Sequence, residues 1–289
     1  MQYVIDQQKR AALVGSALSQ RCYGCCSPCL APSLHSAGKA EVEAFGQVQT
    51  HEKRPPGTVR SLLRCSCLAI ENRNPLSILP MNPNLIRGLY ALVDTTWLAP
   101  DRLVDASAAS IRGGARLIQY RDKSANPNEL AERARAVFRV CRQMGAVFIV
   151  NDNVDLADEL LAHGVHLGEH DSTIGAARAR LGPLAIIGAS CYNSVVNAQR
   201  AADAGASYLA FGAFFPSATK THTRQAEPVL LRKARALGLP LVAIGGITSD
   251  NAAELIADGA NAIAVAGGLF ASGDIEANAR RYAALFEHE

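Results

Sequence analysis

Residues 84–289 are predicted to form an α/β fold, a closed (β/α)8 barrel of the TIM-barrel type, on two observations. From Leu89 to the C-terminus, a short apolar strand followed by a helix recurs eight times. Most of these strands run straight into polar or glycine residues, as Val147–Val150 does at Asn151-Asp152. In a parallel barrel the C-terminal ends of all strands open on one face, so these groups converge there. Such a mouth suits phosphorylated substrates and a divalent metal.

Each strand is predicted from a short apolar run, and each helix from the helical spacing that follows it. The predicted strands are residues 88–93, 116–120, 146–150, 164–167, 184–189, 207–212, 240–244 and 261–265. The first predicted helix opens at Pro100-Asp101, and the others are residues 127–143, 153–162, 172–181, 193–204, 227–237, 249–258 and 274–287. Glycines before strands 2, 3, 6 and 8 are expected to end the preceding helices in a left-handed conformation. They are Gly114, Gly145, Gly205 and Gly259.

An open, doubly wound sheet is the alternative fold for this element order. It would carry a glycine-rich dinucleotide loop after its first strand. The chain has Asp94-Thr95-Thr96-Trp97 there instead, which favours the barrel.

Composition predicts a globular enzyme in the cytoplasm. The chain has 289 residues, 49% of them hydrophobic, which is enough for a large core. No apolar run is long enough to span a membrane. The first twenty residues contain Asp6, Lys9 and Arg10 and have no sustained apolar stretch, so no signal peptide is predicted. The net charge of +3 is too low for the basic surface of a nucleic-acid-binding protein.

Residues 1–83 differ from the rest, and we expect them to be a disordered Cys/Pro-rich extension. They hold seven of the 13 prolines and six of the eight cysteines, without helix or strand periodicity. Cys22, Cys25, Cys26 and Cys29 form overlapping Cys-x-x-Cys spacings, which leaves a zinc or redox site open. Met81 just precedes the first strand, so a chain that starts there is a third interpretation.

Glycine turns follow the last two strands, where this barrel often binds phosphate. Gly245-Gly246-Ile247-Thr248 is expected at a helix N-terminus, where backbone amides face an anion. Ala266-Gly267-Gly268 follows strand 8. The alternative is that these glycines only permit tight turns.

Two carboxylates are predicted to share a magnesium ion. Asp152 and Asp171 each follow a strand, and the two strands are neighbours in the barrel. Mg²⁺ prefers oxygen ligands and often bridges to a diphosphate. Alternatively, each aspartate is the N-cap of the helix that follows it.

Cationic side chains are found at the end of strand 2 and in the long loop after strand 6. Alternation along the strand places Gln119, Arg121 and Lys123 on one side, where they suit a diphosphate. Lys220, with Ser217 and Thr219, lies in the long loop and is a further phosphate-binding candidate. The alternatives are a solvated strand end and a solvated loop. His166 is interpreted as a packed or hydrogen-bonded barrel residue, and the two barrel cysteines as structural or incidental.

Residues 88–285 resemble the thiamine phosphate synthase family. The resemblance is carried by an ordered set of short segments, which are Gln119–Lys123, Val150–Asp152, His166–Gly168 with Asp171, Gly188–Ser190, Gly212–Lys220 with Thr223-Arg224, and Gly245–Ile247. It implies a transferase that joins 4-amino-2-methyl-5-hydroxymethylpyrimidine diphosphate to thiazole phosphate. The products are thiamine phosphate and pyrophosphate, and Mg²⁺ is required. It also implies a dissociative route through a pyrimidine carbocation.

The resemblance implies a role for each candidate residue. The pyrimidine diphosphate would be held by Gln119, Arg121, Lys123, Asn151, Ser190 and Lys220. Among these, Arg121, Ser190 and Lys220 would be catalytic. Asp152 and Asp171 would ligate Mg²⁺. The thiazole phosphate would be bound by Ser217, Thr219, Gly246, Ala266 and Gly267.

The sequence departs from the family pattern at a few positions. Glu169 precedes His170 where the family usually has a glutamine and an acidic residue. Ala218 lies in Ser217-Ala218-Thr219, where Thr-x-Thr is more usual. Ala266-Gly267 replaces a bulkier residue followed by serine. The last two departures fall on the implied thiazole phosphate contacts.

Two other functions stay open. The related branch of this family tautomerises the thiazole on the same barrel, but it would not need the diphosphate-binding cations or the metal carboxylates. A non-catalytic, metal-responsive binding protein would use the Cys22–Cys29 cluster as its sensor. The expected partners are two small phosphorylated molecules, with no nucleic acid or membrane, and a homo-oligomer stays open.

Overall fold

The computed structural model describes residues 85–123, 126–216, 225–271 and 273–287. The predictions for residues 1–83 lie outside the described residues, as do those for Ser217, Thr219 and Lys220. None of the helices in the described ranges is both long and apolar enough to cross a membrane.

Eight parallel strands close into a barrel in chain order, with the eighth paired to the first. They are β1 (Gly88–Asp94), β2 (Leu117–Arg121), β3 (Val147–Asn151), β4 (Gly164–Leu167), β5 (Ile186–Tyr192), β6 (Tyr208–Phe211), β7 (Leu241–Ile244) and β8 (Ala262–Val265). The predicted barrel is therefore confirmed, and the open sheet is wrong.

Helices follow every strand. They are α1 (Leu103–Arg112), α2 (Pro127–Met144), α3 (Val154–Leu160), α4 (Ile174–Leu181), α5 (Val195–Asp203), α6 (Val229–Ala234), α7 (Ala252–Ala257), α8 (Gly267–Phe270) and α9 (Ile275–Ala284). Short 3-10 turns at Pro100–Arg102 and Arg235–Leu237 flank α1 and α6. The sequence did not predict α8, because four residues are too few to show a helical period.

The ends of α2 show how local chemistry begins and ends a helix. The side chain of Asn126 accepts hydrogen bonds from the backbone amides of Asn128 and Glu129 at the start of α2. Gly145 ends α2 in the left-handed conformation, with φ 73° and ψ 23°. Glycine adopts this conformation without the strain that a Cβ would add.

Strand alternation divides the core into two layers. On β1, Leu89, Ala91 and Val93 pack toward the helices, whereas Tyr90 and Leu92 fill the barrel interior. The same alternation directs Asp94 inward at the C-terminal end of the strand. The strand ends therefore deliver polar side chains to the mouth, above an interior that is otherwise largely apolar.

Candidate active site

Arg121 lies at the barrel mouth beside a buried carboxylate that the sequence analysis missed. The guanidinium Nη1 is 2.5 Å from Asp94 Oδ2, and the register places the two residues side by side on β1 and β2. Asp94 also accepts a hydrogen bond from the backbone N–H of Thr96 at 2.8 Å. The carboxylate is therefore fixed on both oxygens and holds the guanidinium at the mouth. Alternation along β1 was the signal that could have identified Asp94.

The carboxylates of Asp152 and Asp171 lie near each other at the mouth and interact electrostatically. Burial raises the pKa of Asp152 above its ordinary value, and the neighbouring Asp171 carboxylate raises it further, whereas the positive charge of Lys123 opposes the shift. Lys123 Nζ is 3.5 Å from Asp152 Oδ2. Asp171 Oδ2 accepts from the backbone N–H of Gly168 at 2.6 Å. Two carboxylates that repel each other beside a lysine form an oxygen donor set suited to a divalent cation.

Neither aspartate caps a helix, so the capping alternative is wrong for both. The N-cap of α3 is Asn153, whose side chain accepts from the Leu156 amide at 2.9 Å. The N-cap of α4 is Thr173, whose hydroxyl accepts from the Ala176 amide at 3.2 Å. The helices begin later than predicted because these residues provide the caps.

Five polar side chains form one hydrogen-bonded row across the barrel, beneath the mouth. Gln119 Nε2 donates to the Tyr90 hydroxyl at 2.9 Å, and this hydroxyl lies 2.9 Å from that of Tyr208. The Tyr208 hydroxyl is 2.8 Å from His166 Nδ1, and His166 Nε2 is 2.9 Å from Ser190 Oγ. The prediction that His166 is a hydrogen-bonded barrel residue is confirmed. The row connects the predicted ligands Gln119 and Ser190, which no pattern in the sequence had paired.

The two glycine turns differ from each other. Gly246 has φ 65°, but α7 begins only at Ala252, so the prediction that this turn lies at a helix N-terminus is wrong. The intervening loop is held instead by Asn251, whose side chain accepts from the Thr248 amide and donates to the Gly246 carbonyl. Ala266, by contrast, directly precedes α8. The first turn of a helix has backbone amides without intrahelical partners, which can face an anion.

Trp97, the only tryptophan of the chain, lies against the start of α8. A Cβ on Gly267 would lie 2.7 Å from Trp97 Cζ2, and a Cβ on Gly268 would lie 2.5 Å from the Tyr282 hydroxyl. Neither position therefore has room for a side chain. The packing of Trp97 explains why glycine occupies a position where the family often has serine.

The base of the loop after β6 is attached to the turn after β7. The Phe215 amide donates to the Gly245 carbonyl at 3.0 Å, and the Ala226 amide donates to the Ala213 carbonyl at 2.8 Å. A Cβ on Gly246 would lie 2.5 Å from the Phe215 carbonyl oxygen. Phe215 and Ala226, on either side of the segment that contains Ser217, Thr219 and Lys220, thus lie at the mouth.

Other candidate groups carry no chemistry at this site. Cys141 and Cys191 are buried, and burial raises the pKa of each thiol to about 12. Both stay protonated at neutral pH, which agrees with their interpretation as structural residues. No group of three or more His, Cys, Asp or Glu side chains that could hold a metal ion occurs among the described residues.

Comparisons with known proteins agree with this geometry. Residues 89–269 match the family model described as thiamine monophosphate synthase. The chain is 52% identical over 202 residues to the thiamine-phosphate synthase of Methylobacillus flagellatus, covering 70% of this chain and 96% of that protein. It is 52% identical over 198 residues to the protein of the same name from Nitrosococcus oceani, covering 68% and 91%.

A solved structure gives the same result. The thiamine phosphate pyrophosphorylase from Pyrococcus furiosus superposes with a TM-score of 0.64 at 34% identity, covering 70% of this chain and 96% of that one. The resemblance inferred from the short motifs is thus confirmed. The chain belongs to the thiamine monophosphate synthase family and is a transferase.

Proposed function

We propose that the enzyme joins 4-amino-2-methyl-5-hydroxymethylpyrimidine diphosphate to 4-methyl-5-(2-phosphoethyl)thiazole in a Mg²⁺-dependent reaction. The products are thiamine phosphate and pyrophosphate. The observation that carries the proposal is the placement of Arg121, Lys123 and the Asp152–Asp171 pair at one barrel mouth. The family and the names of the relatives support the same reaction.

The pyrimidine diphosphate is assigned to the side of the mouth formed by β2 to β5. Gln119, Asn151 and Ser190 contact the pyrimidine end, and Arg121 and Lys123 contact the diphosphate. Lys220 joins them from the loop after β6. Arg can bind two phosphate oxygens in a planar fork, whereas Lys contributes a point charge. Asp94 fixes one side of the Arg121 guanidinium, so its remaining N–H groups are available to the ligand.

Asp152 and Asp171 would hold a magnesium ion, because Mg²⁺ prefers oxygen ligands and is commonly bound by one or two carboxylates together with substrate phosphates. Bound there, Mg²⁺ would neutralise charge on the diphosphate. Lys123, which contacts Asp152, would add a positive charge on the same side. The two carboxylates, through the metal, and the cationic side chains would thus bind the same diphosphate.

The thiazole phosphate is assigned to the turns after β7 and β8. Gly246, Ala266 and Gly267 offer backbone amides, and Ser217 and Thr219 offer hydroxyls. Phosphate often binds after the last two strands of this barrel, at the N-terminus of a short extra helix such as α8. The side chain of Ala266 is small, so this end of the site leaves space for the ligand.

The reaction is proposed to begin with departure of pyrophosphate from the pyrimidine methylene carbon. The C–O bond breaks, both electrons leave with pyrophosphate, and the thiazole nitrogen then attacks the resulting carbocation. Arg121, Lys123 and Lys220 stabilise the developing negative charge on the leaving group. Electrostatic stabilisation of this kind requires no nucleophile from the protein.

The direct test is incubation of the purified enzyme with both substrates and Mg²⁺, followed by chromatography. We expect thiamine phosphate and pyrophosphate in equal amounts, and neither product when one substrate or the metal is omitted. Absence of thiamine phosphate at every Mg²⁺ concentration would contradict the proposal.

The two alternative functions predict other results. A thiazole tautomerase would isomerise the thiazole phosphate without the pyrimidine substrate. A metal-responsive binding protein would hold zinc and lose it in Cys25→Ser. The Asp152–Asp171 pair and its lysine favour the synthase, since tautomerisation has no diphosphate to bind.

A further inference from the structure

The number of protons in the row determines which group donates and which accepts in each of its hydrogen bonds. The row runs Gln119–Tyr90–Tyr208–His166–Ser190, and donation proceeds in that order. Burial raises the pKa of both tyrosines well above the ordinary value, so each hydroxyl keeps its single proton. The Tyr90 hydroxyl accepts a hydrogen bond from Gln119 Nε2 and therefore donates its own proton to the Tyr208 hydroxyl. Tyr208 then donates to His166 Nδ1, which leaves the ring proton on Nε2 to bind Ser190 Oγ.

Donation in the opposite order, from Ser190 toward Tyr90, is less favourable with this orientation of the Gln119 amide. If Ser190 donated to His166, Tyr208 would receive the Nδ1 proton and donate to Tyr90. The Tyr90 hydroxyl would then accept twice, and its own proton would have no acceptor in the row. Tyr90 is 1% exposed, and an unpaired buried donor costs about 1–3 kcal/mol.

The direction determines what the two ends of the row offer to a ligand. Gln119 uses its nitrogen within the row, so its carbonyl oxygen Oε1 remains as an acceptor. Ser190 accepts from His166, so its hydroxyl proton remains as a donor. An aminopyrimidine carries both partners, since its exocyclic amine donates and its ring nitrogens accept.

We propose that Tyr90, Tyr208 and His166 are positioning residues that fix Gln119 as an acceptor and Ser190 as a donor, and so select an aminopyrimidine ring. The inference rests on the proposed function for the identity of the ligand. The direction of the hydrogen bonds does not depend on that identity. A polar row within an otherwise apolar barrel layer stabilises the fold only when every member is paired. Apolar side chains in this layer would stabilise the fold equally, but they would not orient Gln119 or Ser190.

The first experiment measures the histidine tautomer in the protein without substrate. Nitrogen NMR of ¹⁵N-histidine-labelled enzyme distinguishes a protonated from an unprotonated ring nitrogen, and His166→Gln identifies the signal. We expect His166 as the neutral tautomer with its proton on Nε2. A proton on Nδ1 would overturn the proposed direction. This result does not depend on turnover, so it stands even if the proposed function fails.

The second experiment interrupts the row in Tyr208→Phe, with Tyr120→Phe as the matched control. Tyr120 is also a buried strand tyrosine with two hydrogen bonds, to Asp122 and the Leu130 carbonyl, but it faces the helices. In Tyr208→Phe, kcat/KM for the pyrimidine diphosphate should fall about tenfold to a hundredfold, as for loss of oriented hydrogen bonds. The KM for thiazole phosphate should change less than about twofold. Tyr120→Phe should lower the melting temperature and leave both parameters near their wild-type values.

A substrate analogue separates positioning from stability. Wild-type enzyme should prefer the aminopyrimidine diphosphate strongly over the same compound without the amino group, and Tyr208→Phe should lose much of that preference. An unchanged preference, or equal losses for both substrates in Tyr208→Phe and Tyr120→Phe, would show a purely structural role. If Tyr208→Phe does not fold, the same comparison is made with Tyr90→Phe.

Discussion

At the scale of single residues, the site depends on two aspartates, Asp152 and Asp171, that do not cap helices. Asn153 and Thr173 cap α3 and α4, so both carboxylates remain available at the mouth. Asp152 has φ 62°, a conformation that Asp and Asn tolerate better than most residues. The backbone thus aims this side chain at Asp171 and Lys123 instead of at the helix.

Asp152→Asn tests the metal site, because Asn keeps the positive φ and removes the charge. We expect a folded variant whose turnover is at least about a hundredfold lower at ordinary Mg²⁺ concentrations, with partial recovery at high Mg²⁺. Steady-state rates over a Mg²⁺ titration provide the measurement. Asp155→Asn is the control, since Asp155 forms only an exposed ion pair with Arg180. An unchanged Mg²⁺ dependence in Asp152→Asn would exclude Asp152 as a ligand.

Lys220→Ala tests the leaving-group assignment. Lys220 lies outside the described residues, so its role remains a prediction from the sequence. A charge that stabilises departing pyrophosphate acts mainly in the transition state, so kcat should fall roughly tenfold to a thousandfold. The KM for thiazole phosphate should move less. If kcat is unchanged and only that KM rises, Lys220 belongs to the other substrate.

His163 predicts how stability depends on pH. Burial lowers its pKa from 6.5 to about 4, and the neutral ring accepts from the Phe148 amide at 3.0 Å through Nδ1. The unfolded chain therefore binds more protons between these values, so stability present above pH 6.5 is lost as the pH falls toward 4. At about 1.4 kcal/mol per pKa unit, a shift from 6.5 to about 4 corresponds to at most about 3.5 kcal/mol.

The variant His163→Asn isolates this effect, because Asn offers an acceptor that does not titrate. Urea unfolding at pH 7 and pH 5 should show a larger loss of unfolding free energy in wild type than in the variant. Equal losses would mean that His163 protonates alike in the folded and unfolded chains.

At the scale of elements, Arg178 on α4 ties together the N-terminal starts of β5 and β6. Its guanidinium donates to the carbonyls of Gly182, Pro183, Ala185 and Gly205, and to the Ser207 hydroxyl, at 2.5 to 3.2 Å. Ser207 in turn accepts from the Ile187 amide at 3.0 Å. This cluster lies at the end of the barrel opposite the mouth, so its role is stability.

Arg178→Lys should destabilise the fold by about 2–4 kcal/mol, since an ammonium group cannot reproduce the planar fork. Thermal or urea unfolding measures the loss, and kcat below the melting temperature should be unchanged. Arg180→Lys on the same helix is the control. Arg180 contacts Asp155 and Asp158 at an exposed position, where ion pairs contribute little. Equal destabilisation in the two variants would contradict the assignment.

At the scale of the molecule, the barrel separates stability from chemistry. The apolar interior and the Arg178 cluster lie toward the N-terminal ends of the strands, whereas the ion pairs of Asp94 with Arg121 and of Lys123 with Asp152 lie at the C-terminal ends. The alignment with the Methylobacillus flagellatus protein extends over 202 residues, which are 96% of that protein and 70% of this chain. A segment about as long as the barrel thus corresponds to nearly the whole of the relative.

A chain that starts at Met81 should therefore fold and keep full activity. Its melting temperature and kcat/KM are compared with those of the full chain, under reducing conditions so that the six additional cysteines do not crosslink. An insoluble product, or loss of most turnover, would show that residues 1–80 support the barrel or the site.

The sequence by itself determined the barrel, the strand order and the location of the mouth. Eight apolar runs that alternate with helices favour a closed parallel barrel, in which residues that follow strands lie at the C-terminal face. Asn151, Asp152, Asp171 and Arg121 could be predicted in this way, because their placement needs only their position after a strand.

Only the tertiary structure decided which side chains meet. Asp94 contacts Arg121, Trp97 excludes a side chain at Gly267, and Tyr90 reaches Tyr208 across the barrel, 118 positions along the chain. Such contacts depend on ring closure and on the register of neighbouring strands. Strand periodicity assigns a side chain to a face, but not to a partner on another strand.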